Sequence, residues 1–340
     1  MRILHTLASP VLSGPAEAVA ELALAGRAAG HQVTVAVDRK RTSTRSEEPS
    51  LPYFEELGLL DEGGLELSVK SSLPQMWRDV RALKRHAVDV VHAHFSHDHM
   101  LAALGRPHGA ALVRSIHAPR SLTWATPAPD AFTVPTDSLV EEVKKERKAE
   151  VMVLPALIGE RYKPSSDRLA LRSRLGIEGE PLIGMVSTFQ PSRHHDVGLD
   201  AFQLLLHERP KARMVLLGDG ELEWELRARV AAHGANAAVT FAGYQQHSEY
   251  LSWLQSFDEV WVLGLGNDWA GRAAAQARAC GVRVLAIDEG ALSKYADVVV
   301  PLEPEAVMKG SLSGERREVA LETPAQIAAR VLELYAKVKK

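Results

Sequence analysis

Short runs in which nearly every position is apolar alternate along this chain with longer stretches whose apolar residues recur every three to four positions. The runs at 2–5, 32–37, 89–94, 111–116, 131–134 and 151–154 read as strands buried on both faces. Between them, 16–29, 75–87 and 137–148 carry the helical period, and Thr136-Asp137-Ser138 offers capping side chains to the last. Around Pro164-Ser165-Ser166 the pattern turns polar, which predicts a linker. It then restarts, with strands at 182–187, 213–217, 239–242, 259–263, 283–287 and 297–300. Helices are expected to start near Asp196, Glu221, Ser248, Ala270 and Gly290. Strand–helix alternation of this kind predicts an α/β chain of two tandem, doubly wound, Rossmann-like domains, 1–164 and 165–322, facing across a cleft. A last capped helix over 323–340 puts Ile327, Val331, Leu334 and Val338 on one face and is expected to pack back toward the first domain.

Composition narrows the class. At 340 residues there is room for about two domains. The net charge of -3 gives no general pull toward nucleic acid, so no nucleic-acid partner is expected. The single cysteine, Cys280, excludes an internal disulfide framework and a cysteine-rich metal site. No apolar run is long enough to span a bilayer. The first twelve residues look like a weak signal peptide, but His5 and Pro10 interrupt them and a helix with Glu17 and Glu21 follows. A first strand is the better reading, and the protein is expected in the cytoplasm, with contact at the inner face of the membrane a further expectation.

The richest chemistry lies in Val262-Leu-Gly-Leu-Gly-Asn-Asp-Trp-Ala-Gly-Arg-Ala-Ala-Ala-Gln-Ala-Arg-Ala-Cys-Gly281. A glycine-rich loop opening a helix attracts phosphate, because unpaired N–H groups and the helix dipole both favour an anion there. Asp268, Arg272 and Gln276 are spaced by four and share one face if the helix starts early. The plain alternative is an ordinary strand–loop–helix turn. Arg193-His194-His195-Asp196 places a basic group before another helix start. His92-Ala-His94-Phe-Ser-His97-Asp98-His99 reads as a polar strand terminus with a capping network, or as sugar contacts from His97 or Asp98; no metal is expected. Gln75-Met-Trp77-Arg78 through Arg85 is a basic helix, either a solvated face or a peripheral contact with anionic lipid near Trp77. The strand-end acids Asp219, Glu221, Asp288 and Glu289 form neither a serine–histidine–aspartate pattern nor a carboxylate pair fit for hydrolysis, although 288–290 is placed to touch a donor sugar.

Several phrases occur in order over nearly the whole chain. They are Ser13-Gly14-Pro15-Ala16-Glu17, Asp89-Val-Val-His-Ala-His94, the segment from Ile158 to Pro164, and Val186-Ser-Thr-Phe-Gln-Pro-Ser-Arg193. Asp200-Ala-Phe-Gln-Leu-Leu, Met214-Val-Leu-Leu-Gly-Asp-Gly220 and Val239-Thr-Phe-Ala-Gly243 follow. Together they resemble the retaining GT-B glycosyltransferases of family 4, group 1 type. The resemblance implies a nucleotide-diphosphate sugar as donor substrate, no other cofactor, no required metal, and a saccharide or lipid-linked acceptor held largely by the first domain. It implies diphosphate contacts from Gly14, Arg193 and the helix start at Ala270-Gly271, with Thr188 at a position that faces the diphosphate; Arg272 either adds charge near the phosphates or anchors the loop. It places His117 near the reacting sugar, Asp268 on sugar hydroxyls and Gln276 on the ribose.

Four positions depart from the family pattern. Asp268 and Gln276 stand where two glutamates are usual, Thr188 where an arginine is common, and Lys294 where a glutamate is usual. These departures leave open a catalytically degenerate GT-B protein that binds a ligand or partner. A nucleotide-sugar epimerase is a third reading, but the sequence offers no acid pair for it.

Overall fold

The computed structural model describes residues 1–40, 48–122, 127–146, 148–266 and 269–339. The chain forms two compact units, Met1–Gly159 with Glu322–Lys340, and Glu160–Leu321. The crossing therefore comes at Gly159–Glu160, five residues before the expected 164, and Pro164-Ser165-Ser166 lies inside the second unit.

Unit 1 contains β1 (Arg2–Leu7), α1 (Gly14–Ala28), β2 (Gln32–Val37), α2 (Ser50–Glu56), α3 (Leu73–Arg85), β3 (Val90–Ala93) and α4 (Ser96–Leu104). β4 (Ala111–Ser115), β5 (Ala131–Val134), α5 (Asp137–Glu146) and β6 (Glu150–Val153) complete its main part. Among the described residues its strands pair in parallel in the order β2-β1-β3-β4-β5-β6. Alternate residues of β1 feed opposite layers, as the pleat requires. Ile3 and Leu7 join Ala16, Val19, Ala20 and Ala23 of α1, while Leu4 joins Leu65, Val80, Leu83 and Leu101. The small residues of α1 let that helix lie close to the sheet.

Unit 2 contains α6 (Arg168–Leu175), β7 (Leu182–Val186), α7 (His195–Glu208), β8 (Arg213–Leu217), α8 (Glu223–Ala232), β9 (Val239–Gly243) and α9 (His247–Ser256). β10 (Glu259–Val262), α10 (Arg272–Ala279), β11 (Arg283–Ala286), α11 (Leu292–Tyr295), β12 (Val298–Val299) and α12 (Pro304–Leu312) follow. The strand order is β12-β11-β10-β7-β8-β9, again parallel. The buried pair Glu259 and Arg283 ties β10 to β11, and Arg283 also donates to the Gly310 carbonyl at 2.7 Å, fastening the end of α12. Cys280 is fully buried and burial pushes its thiol up to about 12, so it serves as a small apolar side chain.

The last helix, α13 (Pro324–Val338), belongs to unit 1. Thr323 and Gln326 form a capping box at its start, and Ile327, Val331, Leu334 and Tyr335 enter the core beneath α1. Among the described residues no helix is long and apolar enough to cross a membrane.

In each unit the chain order reverses across a pair of neighbouring strands, β1 and β3 in unit 1 and β7 and β10 in unit 2. Ligands of such sheets settle beyond the carboxyl ends of those strands, because the loops diverge there.

Candidate active site

Beyond β7 and β10 lies a cavity of about 170 Å³. Ser187, Thr188 and Arg193 line it from the loop after β7, Leu263 and Gly264 from the loop after β10, and Ala273 from the first turn of α10. Each wall is held by identifiable contacts. The loop after β7 is pinned by the fully buried Phe189, whose N–H donates to the Asp219 carbonyl at 2.7 Å. Gly218 faces the Ser187 carbonyl so closely that a Cβ would sit 2.1 Å from its oxygen, so only glycine permits this approach. The Leu265 N–H donates to the Ser192 carbonyl at 2.7 Å, stitching the two loops together. The Arg193 side chain runs across Gly264, where a Cβ would come within 3.0 Å of Cδ. Glu289 accepts the Gly266 N–H at 2.6 Å, so this acid fastens the glycine-rich loop.

Helix α10 starts two residues later than the pattern implied. Gly271 is its N-cap, in the left-handed region at φ 65°, and Arg272 is the first helical residue. Ala270 and Gly271 thus form the turn before the helix, whose first turn begins with Arg272 and Ala273. Asp268 lies outside the described residues. Arg272 and Gln276 do share a helical face, but the Gln276 carboxamide is buried and held at both ends. Its Oε1 accepts from the Tyr250 hydroxyl and its Nε2 donates to the Tyr162 hydroxyl, each at 2.8 Å. The Arg161 guanidinium lies 4.9 Å from the Tyr162 ring centre and donates to its hydroxyl at 3.2 Å. Burial raises the Tyr162 phenol, with Tyr250 adding to the rise, while the charges of Arg161 and Arg272 oppose it. Lys294 sits in the short helix α11.

The basic cluster before α7 resolves into one cation and one core residue. His195 is buried, stands edge-on to Phe189 at 5.0 Å and pairs with the Ser187 hydroxyl at 3.3 Å. Burial first, then Arg193, lowers its pKa to about 4, so the ring is neutral near pH 7. Arg193 carries the fixed charge at this loop.

Unit 1 has its own polar switch point. Gly14 opens α1 just past β1, behind the extended backbone of Ser13. His5 and His92 stand opposite each other on β1 and β3. His5 Nδ1 and His94 Nε2 lie 3.0 Å apart, and His117 stacks beyond His94 with ring centres 6.1 Å apart. Burial raises the Tyr335 phenol well above its ordinary range. Its hydroxyl lies 2.6 Å from His92 Nδ1, and His92 Nε2 lies 2.9 Å from the Ser115 hydroxyl. Ser115 reaches Thr133 at 2.8 Å. His5, His92 and His94 bring nitrogen atoms within 4.8 Å of one another, spacing that fits a metal. The donor set does not fit: both His92 nitrogens are engaged by hydroxyls, and His5 is bonded to His94. Buried His94 Nδ1 and Thr6 Oγ1 have no hydrogen-bond partner among the described residues.

Asp98 departs from the expected sugar contact. It is fully buried and accepts the N–H groups of His94, Phe95 and His99 at 3.1, 2.7 and 3.0 Å, so it caps α4. Sequence reasoning missed Tyr162, Tyr250 and Arg161 as a group. The segment ending at Pro164 drew notice, but nothing along the chain showed that its tyrosine meets Gln276.

Two family descriptions match, one in each half. Glycosyltransferase Family 4 matches residues 12–157 and Glycosyl transferases group 1 matches residues 167–300. The chain belongs to the group 1 glycosyltransferases of family 4. A D-inositol 3-phosphate glycosyltransferase of Streptomyces avermitilis is 31% identical over 166 residues, 46% of this chain and 36% of the relative. Mannosylfructose-phosphate synthase of Agrobacterium fabrum is 27% identical over 169 residues, 47% of this chain and 37% of the relative. These matches thus span little more than a third of the relatives' length. Among solved structures, Anabaena Alr3699/HepE in complex with UDP and glucose superposes with a TM-score of 0.73 at 16% identity, covering 100% of this chain and 96% of that one. Sucrose-phosphate synthase of Thermosynechococcus elongatus gives 0.66 at 14%, covering 100% and 95%. Those likenesses establish the two-domain GT-B fold.

Proposed function

We propose that this protein transfers a glycosyl group from a nucleotide-diphosphate sugar to a hydroxyl of a saccharide or lipid-linked acceptor, with retention and without a required metal. The observation that carries the proposal is the cavity at the β7–β10 switch point, where Arg193, Thr188 and the first turn of α10 converge. Breaking the bond between the anomeric carbon and the diphosphate leaves negative charge on the leaving oxygens. A fixed guanidinium and preoriented N–H groups stabilise that charge as it forms, and Arg193 can pair two phosphate oxygens at once. The new bond joins the acceptor oxygen to the same carbon, and the acceptor proton leaves with the diphosphate. On the family resemblance, Asp268 is assigned to the sugar hydroxyls and His117 to the neighbourhood of the reacting sugar. UDP in one solved neighbour, and the phosphorylated polyol and phosphorylated disaccharide named in two relatives, support a donor and a hydroxyl acceptor of this chemical kind.

One observation favours a second reading, a GT-B protein that binds but does not turn over. The amide at the ribose position is occupied by two tyrosines rather than presented to a ligand. Calorimetric titration with UDP, GDP and ADP, followed by an assay for donor hydrolysis, separates the two. Binding with turnover is the expected result. Binding without turnover supports the second reading, and no binding to any diphosphate overturns both.

A further inference from the structure

Helix α3 takes no part in either switch point, and its inward side is complete. Val80 and Leu83 are buried with Leu65 and Leu101. Its one carboxylate, Asp79, is buried and accepts the N–H groups of Glu66 and Leu67 at 3.1 Å each and the Gln75 amide at 3.2 Å.

The outward side has an unusual make-up for a chain of net charge -3. Its exposed residues are Leu73, Pro74, Trp77, Arg78, Arg81, Lys84 and Arg85, so two large apolar side chains sit with four cations and no acid. Leu73 is 71% and Trp77 58% exposed. At about 100° per residue, Leu73, Trp77, Arg81 and Lys84 follow one edge of the arc, with Arg78 and Arg85 beside them. Just before the helix, Val69 and Lys70 are exposed as well, extending both properties. Leu73 and Trp77 lie one turn apart on this arc, so their exposed apolar surface is contiguous rather than scattered, which is what marks an interaction site.

We propose that this face of α3 docks the protein peripherally on a lipid bilayer that carries anionic headgroups. Leu73 and Trp77 enter the boundary between headgroups and acyl chains, and Arg78, Arg81, Lys84 and Arg85 meet the negative surface. The charge of the face and its exposed indole together select this occupant. A polyanion without an apolar layer would use the cations and leave Leu73 and Trp77 idle. The proposal does not depend on the glycosyl-transfer reading.

The test is flotation of the whole protein with phosphatidylcholine vesicles, with and without about one third phosphatidylglycerol, at about 0.05 M and about 0.5 M salt. Association is expected with the anionic vesicles at low salt, weaker at high salt and absent from phosphatidylcholine alone. Arg81→Gln with Arg85→Gln is expected to lower partitioning about 25-fold, about fivefold for each cation. Trp77→Ser is expected to lower it about tenfold. All the substituted side chains are exposed, so an unchanged thermal midpoint certifies the fold. No association with anionic vesicles, or variants that bind like the parent, overturns the proposal. So does loss in the arginine variant alone, with Trp77→Ser unaffected and an RNA homopolymer bound equally well, because that result assigns the face to polyanions.

Discussion

The Gln276 carboxamide accepts from Tyr250 on one side and donates to Tyr162 on the other, with almost no exposure to solvent. Those partners lie 26 and 114 residues away along the chain, which is why spacing alone could place Gln276 on the right helical face yet not say what it touches. Arg193 and Thr188 were easier to read, since each sits just past a strand end where a parallel sheet presents its loops. For Gln276 the structural consequence is measurable. Gln276→Leu keeps the volume but removes the hydrogen bonds that the amide makes with the Tyr250 and Tyr162 hydroxyls, at about 1–3 kcal/mol. Urea denaturation is expected to show that loss, and an unchanged midpoint and slope would mean that the amide is dispensable to the fold.

At the scale of elements, His5 on β1 and His92 and His94 at β3 form a neutral buried group of imidazoles. Burial holds His5 down to about 3 and keeps His92 and His94 well below the ordinary imidazole range. In the unfolded chain each titrates near about 6.5, so between those values it is the unfolded state that binds the protons. Stability from these rings is therefore full above about 6.5 and declines as the pH falls. Asp98 works in the opposite sense. Burial raises it to about 7, so its contribution is present at low pH and is lost as the pH rises through that value. Three imidazoles outweigh one carboxyl, and each net proton changes stability by about 1.4 kcal/mol per pH unit. Denaturation at pH 7.5, 6 and 5 is expected to show unit 1 weakening steadily toward the acid side. A flat profile would show that these rings are solvated in the native state. The strand runs and the start of α13 were legible because apolar period and capping residues are local signals. The start of α10 was misjudged by two residues, because the left-handed turn at Gly271 ends the loop in a way that apolar period does not encode.

Across the whole molecule, the class of fold followed from alternation alone, but the order of strands within each sheet did not. Parallel neighbours such as β1 and β3 are separated by more than fifty residues, and nothing in a buried strand names its partner. The return of α13 to unit 1 was legible only as an apolar face in need of a cover; the bond from Tyr335 to His92 spans 243 residues. That long closure makes unit 1 discontinuous in sequence, with unit 2 as an insertion between its two parts. In unit 2 the loop after β7 holds Arg193 beside the start of α10, and the functional account stands on what that guanidinium recognises. The most direct measurement is calorimetric titration of the parent and Arg193→Ala with a nucleoside diphosphate and with the matching nucleoside. The account predicts that the variant loses about 10- to 100-fold in affinity for the diphosphate, the range of a hydrogen-bonded charge, and nothing for the nucleoside. Equal losses for both ligands, or none for either, would contradict it.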